Sequence, residues 1–153
     1  MSGPNIELRP RGGVGVYIIN DSKEILLSLR TWVHAPGFWC PPGGHIEYGE
    51  SFLQTAANEA KEEVNLDVQE VEIIGVTNDV YPAELKHYIT VHLKAVKYSG
   101  IPKIMESHKF SDMRWFPLDS LPENIFPSVR SFLNSNPLCL CDSGKKYREC
   151  HGK

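Results

Sequence analysis

Apolar and polar positions alternate along this chain with changing period, and each change of period marks an element. Two short apolar runs, Val14 to Ile19 and Ile25 to Leu29, flank Asn20-Asp21-Ser22-Lys23, which predicts two strands joined by a turn as a β-hairpin. Thr31 to Pro42 mixes Pro36, Gly37, Pro41 and Pro42 with Trp32, Phe38 and Trp39, the pattern of an aromatic loop able to wall a binding site. Leu53, Ala56, Ala57, Ala60 and Val64 then recur at three- and four-residue steps, predicting a helix from Ser51 to Val64. Ser51 with Gln54 forms a capping box, and Asn65 suits the left-handed residue that ends a helix. Period two at Val71 to Val76 and at Ile89, Val91, Leu93 and Ala95 predicts strands, Met113 to Phe116 adds another, and Pro127 to Leu133 reads as a second helix. Helices and strands in irregular order predict a layered α/β or α+β domain. Asn134-Ser135-Asn136-Pro137 is polar and helix-breaking, so residues 1–136 are expected to form the domain and 137–153 a short modular appendage.

Composition narrows the functional classes. The 153 residues, 41% hydrophobic and 23% charged, suffice for one folded core. Sixteen Lys and Arg against nineteen Asp and Glu leave a net charge of −3, which argues against an unspecific grip on nucleic acid or anionic membrane. No apolar run reaches the roughly 18 to 20 residues that span a bilayer. The opening MSGPNIELRP lacks the basic-then-apolar order of a signal peptide, so a cytoplasmic location is expected. Cys40 stands alone, whereas Cys139, Cys141 and Cys150 crowd the last fifteen residues, which suggests a metal before disulfides.

The chemistry concentrates on the predicted helix. Glu59, Glu62 and Glu63 stand at i, i+3 and i+4, so their carboxylates share a face, expected to be the solvent face opposite the apolar stripe. Like charges so spaced repel by a few tenths of a kcal/mol per pair, and a hard divalent cation, Mg²⁺ or Mn²⁺, relieves them. Pro41-Pro42-Gly43-Gly44 allows close backbone approach to a ligand, and Glu47 and Glu50 add carboxylates.

The stretch GGHIEYGESFLQTAANEAKEEVNL, from Gly43 to Leu66, closely resembles the Nudix box, G-x5-E-x7-R-E-U-x-E-E-x-G-U with U a bulky aliphatic residue. Gly44, Glu50, Glu59, Glu62, Glu63 and Leu66 match, while Asn58 replaces the arginine, Ala60 is smaller than the usual residue and Asn65 replaces the second glycine. His34 to Trp39, Thr77 to Val80 and His87 to Val91 are similar to the branch that hydrolyses nucleoside and oxidised nucleoside triphosphates, over roughly residues 12 to 135. The resemblance implies an α/β/α sandwich around a mixed sheet, and water attack at phosphorus giving a nucleoside monophosphate and pyrophosphate. It implies that Glu59, Glu63 and the Gly43 carbonyl hold Mg²⁺, that Glu62 serves a second ion, and that Glu59 or a later glutamate, for which Glu106 is the candidate, takes the proton. Arg30 resembles the branch's phosphate-side arginine; Trp39, Thr90 and Phe126 are candidates for holding the base. His45 and His87 read as histidines with local partners. The missing arginine at position 58 would leave Glu59 or Glu50 less ordered, and the alternative reading is a weakened Nudix domain that binds rather than cleaves. The branch's frequent homodimers imply a possible second copy.

In the tail LCLCDSGKKYRECHGK, two close pairs of ligands, Cys139 with Cys141 and Cys150 with His151, suit a closed tetrahedral and therefore structural Zn²⁺ site. Some sixteen residues cannot build a core, so metal would fold them. The segment resembles the SEC-C motif at the C-terminus of the SecA translocation ATPase, which implies zinc and a protein partner. Lys145, Lys146, Arg148 and Lys153 make it basic.

Overall fold

In the computed structural model, which describes residues 8–153, the Asn20 side chain closes the first turn by accepting hydrogen bonds from the amides of Ser22 and Glu24, both at 3.0 Å. Residues 1–7, on which the reading of the chain's opening rests, lie outside the described residues. The flanking strands, β1 (Arg11–Tyr17) and β2 (Glu24–Arg30), do not form the expected hairpin. They meet at a single Ile19–Ile25 bridge and then part into separate sheets. Each already has both edges taken: β1 pairs with β4 (Gly43–His45) and β6 (Lys86–Ser99), β2 with β3 (Trp39–Cys40) and β7 (Phe110–Pro117).

The larger sheet has the order β4-β1-β6-β5, with β1 and β6 parallel and the other pairs antiparallel, so it is mixed. β5 (Asp67–Tyr81) outruns its predicted span, turns through a short 3-10 segment at Pro82–Glu84, and returns as β6. The smaller sheet has the order β3-β2-β7.

Helix α1 (Phe52–Val64) begins and ends as its sequence dictates: the Ser51 hydroxyl accepts from the Gln54 amide, Gln54 Oε1 accepts from the Ser51 amide, and Asn65 adopts φ 60°. Ala56, Ala60 and Val64 pack against Val14, Val16, Val91 and Leu93 on one face of the sheets. Leu53, assigned to that stripe, is 39% exposed, and Thr55 is buried in its stead. Helix α2 (Pro127–Asn134) seals the other face through Phe132, whose ring stacks on His92 at 4.7 Å and against Tyr17 at 5.4 Å.

That second core also holds Cys139, Leu140 and Cys141, with Tyr147 and Cys150 against it. Part of the tail thus packs against the domain. Lys94 of β6, 9% exposed, ion-pairs with Asp142, and the Arg148 guanidinium donates to the Asn134 carbonyl at 3.0 Å. Among the described residues no helix is long and apolar enough to cross a membrane.

Candidate active site

Two glycines on β4 bring the backbone onto α1. A Cβ at Gly44 would lie 2.4 Å from Glu59 Oε1, and one at Gly43 only 2.3 Å from the Val14 carbonyl oxygen. At Gly43, where the obstacle is backbone, glycine alone permits that approach. The strand therefore closes over the helix, and Glu63, expected on the solvent face, is 7% exposed, with Oε2 accepting from the Gly43 amide at 3.3 Å. Burial, then the charge of Glu59, raises its proton affinity well above the usual carboxylate range. Glu59 is pushed to about 7, by burial first and the charge of Glu62 next. Two crowded, desolvated carboxylates must share protons or take a cation, and hard oxygen donors fit Mg²⁺ or Mn²⁺.

Glu62 is exposed, and its charge reaches Glu59 from the outer side. Glu106 does approach from the loop before β7: its charge acts on both Glu59 and Glu63, and it ion-pairs at 3.1 Å with Lys109, whose cation opposes it. Glu50 is held by three donors: Thr55 Oγ1 at 2.8 Å, Asn58 Nδ2 at 2.9 Å and the Glu47 amide at 3.1 Å. Those bonds, Thr55 foremost, lower its pKa. Asn58 thus supplies a donor to Glu50 from the position of the missing arginine.

The carboxylate pair opens into a cavity of about 470 Å³ that Arg30, Thr90 and Phe126 also line. Arg30 donates from Nε to the His34 carbonyl at 2.8 Å and sits 5.2 Å from the Phe126 ring centroid. Trp39 does not line the cavity. Its ring packs edge-on against Phe116 at 4.8 Å, with Arg114 5.6 Å from the ring. Successive strand residues face opposite ways, so Trp39 enters the core while Cys40 meets the cavity; burial pushes the Cys40 thiol up to about 12, against the nearby Arg30 charge.

Sequence reasoning missed Lys109, Lys86, His34, Tyr81, Tyr88 and His92, all of which line the cavity. The signal was available in β6, where Tyr88, Thr90 and His92 alternate with the apolar set that predicted the strand. His92 is fully buried, hydrogen-bonded at 2.8 Å to Tyr17 Oη and to Thr77 Oγ1, and lowered to about 4 by burial, so the cavity floor is neutral there.

In the tail, Cys139, Cys141, Cys150 and His151 place their ligand atoms within 4.8 Å of one another, the one such group of three or more metal-ligand side chains to converge among the described residues. His151 Nδ1 lies 3.2 Å from both Cys139 and Cys150 Sγ, and Cys141 Sγ 3.5 Å from Cys150 Sγ. Such spacings suit a four-coordinate zinc site.

The NUDIX domain model matches residues 9–135 and the SEC-C motif model residues 136–153. The chain belongs to the Nudix hydrolase family and carries a C-terminal SEC-C motif. It is similar to the MutT NUDIX hydrolase from Burkholderia pseudomallei, a solved structure that it matches with TM-score 0.78 and 28% identity over 82% of this chain and 97% of that one. It is 34% identical to the m7GpppN-mRNA hydrolase NUDT17 of Xenopus laevis over 57% of this chain, and 31% identical to the NAD-capped RNA hydrolase NudC of Pseudomonas aeruginosa over 76%. It spans only 34% and 39% of those two proteins' lengths.

Proposed function

We propose that this chain hydrolyses a phosphoanhydride of a nucleoside triphosphate, standard or oxidised, to the monophosphate and pyrophosphate. The observation that carries this reading is the Glu59–Glu63 pair pressed against Gly43 and Gly44 and opening into a cavity with Arg30 and aromatic walls. Glu59, Glu63 and the Gly43 carbonyl would hold Mg²⁺ or Mn²⁺, and Glu62, on the outer side, would serve a second ion. Bound there, the metal supplies charge neutralisation on the phosphate and a lower pKa for the attacking water. Arg30 and Lys86 bind phosphate oxygens, while Phe126 and Thr90 border the base. Glu106, free of metal duty, takes the proton as a bond forms from the water oxygen to phosphorus. The bond from phosphorus to the bridging oxygen breaks, and its electron pair leaves with pyrophosphate.

A second reading, cleavage of the cap on RNA, is favoured by the names of two relatives, which act on m7GpppN-mRNA and NAD-capped RNA. A panel of triphosphates and capped oligonucleotides, with Mg²⁺, Mn²⁺ or chelator and products separated by chromatography, tests both. Monophosphate and pyrophosphate are expected from a triphosphate. Cleavage of capped oligonucleotides alone would overturn the first reading for the second, and metal-independent binding without turnover would leave a binding module.

We infer further that Cys139, Cys141, Cys150 and His151 hold structural zinc. Their convergence supports this, and one zinc per chain by elemental analysis is the expected result. The exposed Lys145, Lys146 and Arg148 offer a basic face to an acidic protein partner.

A further inference from the structure

One side chain already sits where a heteroaromatic ring would be expected to bind. The imidazole of His34, from the loop after β2, meets the Tyr81 ring edge-on at 5.4 Å, Phe126 edge-on at 5.6 Å and Tyr88 at a tilt of 42° and 6.0 Å. Its Nδ1 is 2.6 Å from Glu84 Oε2, in the turn joining β5 to β6. Two of the rings come from the β5–β6 hairpin and the third from the loop before α2, and all line the cavity that holds Glu59 and Glu63. His34 itself is only 14% exposed. A planar nitrogen heterocycle thus meets three aromatic rings, edge-on or tilted, with a ring nitrogen against the exposed Glu84 carboxylate at the rim of the cavity.

Building on the hydrolytic reading above, we propose that the slot among Tyr81, Tyr88 and Phe126 is the nucleobase subsite, that His34 is its resident occupant, displaced when substrate enters, and that Glu84 selects guanine. The chemistry follows from what His34 now does there. Aromatic rings hold a base through its π-face and discriminate weakly among bases. The edge contact discriminates. A carboxylate is acceptor-only and takes two parallel donors best. Guanine offers two adjacent donors on its pairing edge, the ring N1–H and the exocyclic amine, whereas adenine offers the amine beside an acceptor. Lys86, 3.2 Å from Glu84, and Arg30, over Phe126, lie beside the slot and are placed for the phosphates that such a base carries.

Occupancy by His34 lowers apparent affinity by the fraction of molecules in which the slot is free. Removing it therefore tightens binding, which separates a displaced occupant from a stacking wall. The test is calorimetric titration of the full chain with GMP and with AMP, without divalent cation so that binding is read apart from turnover, beside melting temperatures for every variant. Wild type is expected to prefer GMP. His34→Ala should bind both nucleotides several-fold more tightly, His34→Phe, which refills the slot, should not, and Glu84→Gln should cut the GMP-to-AMP ratio by about tenfold. Phe126→Ala should weaken both. Weaker binding in a folded His34→Ala, or an unchanged ratio in Glu84→Gln, would overturn the proposal while leaving hydrolysis standing. GMP-selective binding by a chain that cleaves no nucleotide would support the subsite and reject the hydrolytic reading.

Discussion

At the scale of single residues, Glu63 carries the strongest conflict between folding and chemistry. A carboxyl whose proton affinity rises on folding binds protons in the folded chain that the unfolded chain has released, so its contribution favours folding at low pH. That contribution is lost as pH climbs from the ordinary value of 4.5 through the raised one, a window that for the neighbouring Glu59 ends at about 7. In chelator, Glu63→Gln should therefore melt above wild type at pH 8, with the gap narrowing toward pH 5. Its turnover with Mg²⁺ should fall by about 10² or more, the loss expected when several kcal/mol of charge stabilisation at phosphate disappear. Melting curves at the two pH values and steady-state rates check both halves. Asn58 leads to a milder expectation. Since Glu50 keeps Thr55 and the Glu47 amide, Asn58→Ala should slow turnover less than tenfold, and Asn58→Arg should gain little over a donor already in place. Sequence spacing revealed which carboxylates cluster, but not that Glu63 turns inward. That depends on how closely β4 approaches, which is a tertiary fact that helical periodicity does not contain.

Among the elements, β4 decides the site, and its two glycines are not equivalent. An added methyl at Gly44 meets the far end of the flexible Glu59 side chain, which can swing away, whereas at Gly43 it meets the backbone carbonyl of Val14 in the paired strand. Gly44→Ala should leave the fold nearly intact and weaken Mn²⁺ binding, by about 10- to 100-fold if ligand orientation is what fails. Gly43→Ala should lower the melting temperature instead. Mn²⁺ titration and thermal unfolding of both variants distinguish the two. Helix α1 was legible down to its caps because capping and period are local signals. The pairing of β1 with β6 was not, since alternation says which residues share a face and nothing about which strand lies alongside. The same blindness misplaced Trp39, whose direction follows from the pairing of β3 with β2.

For the molecule as a whole, the tail belongs to the second core, and Val129 and Phe126 carry that core up to the cavity wall. Truncation after Asn136 removes the buried Leu140, worth about 1.5–3 kcal/mol, and strips Asp142 from the nearly buried Lys94. The truncated chain should melt about 3–12 °C lower, at 2–4 °C per kcal/mol, and zinc removal from the full chain should move it part of that way. Calorimetry with and without a zinc chelator measures this; an unchanged melting temperature on truncation would show that the tail adds nothing to the domain's stability. The central place of β1 has a kinetic consequence as well. Its partner Tyr88 lies far along the chain from Arg11, and β2 likewise waits for β7. The β5–β6 ribbon closes across a short turn, and α1 runs directly into it. Local contacts come cheaply and distant ones late, so ribbon and helix should assemble first, with β1 inserted afterwards and refolding in milliseconds to seconds. Substitutions within the ribbon should slow refolding, whereas those between β2 and β7 should hasten unfolding. Until β1 arrives, the edge of β6 lies bare to other nascent chains, which makes the brief interval before insertion the time of greatest aggregation hazard.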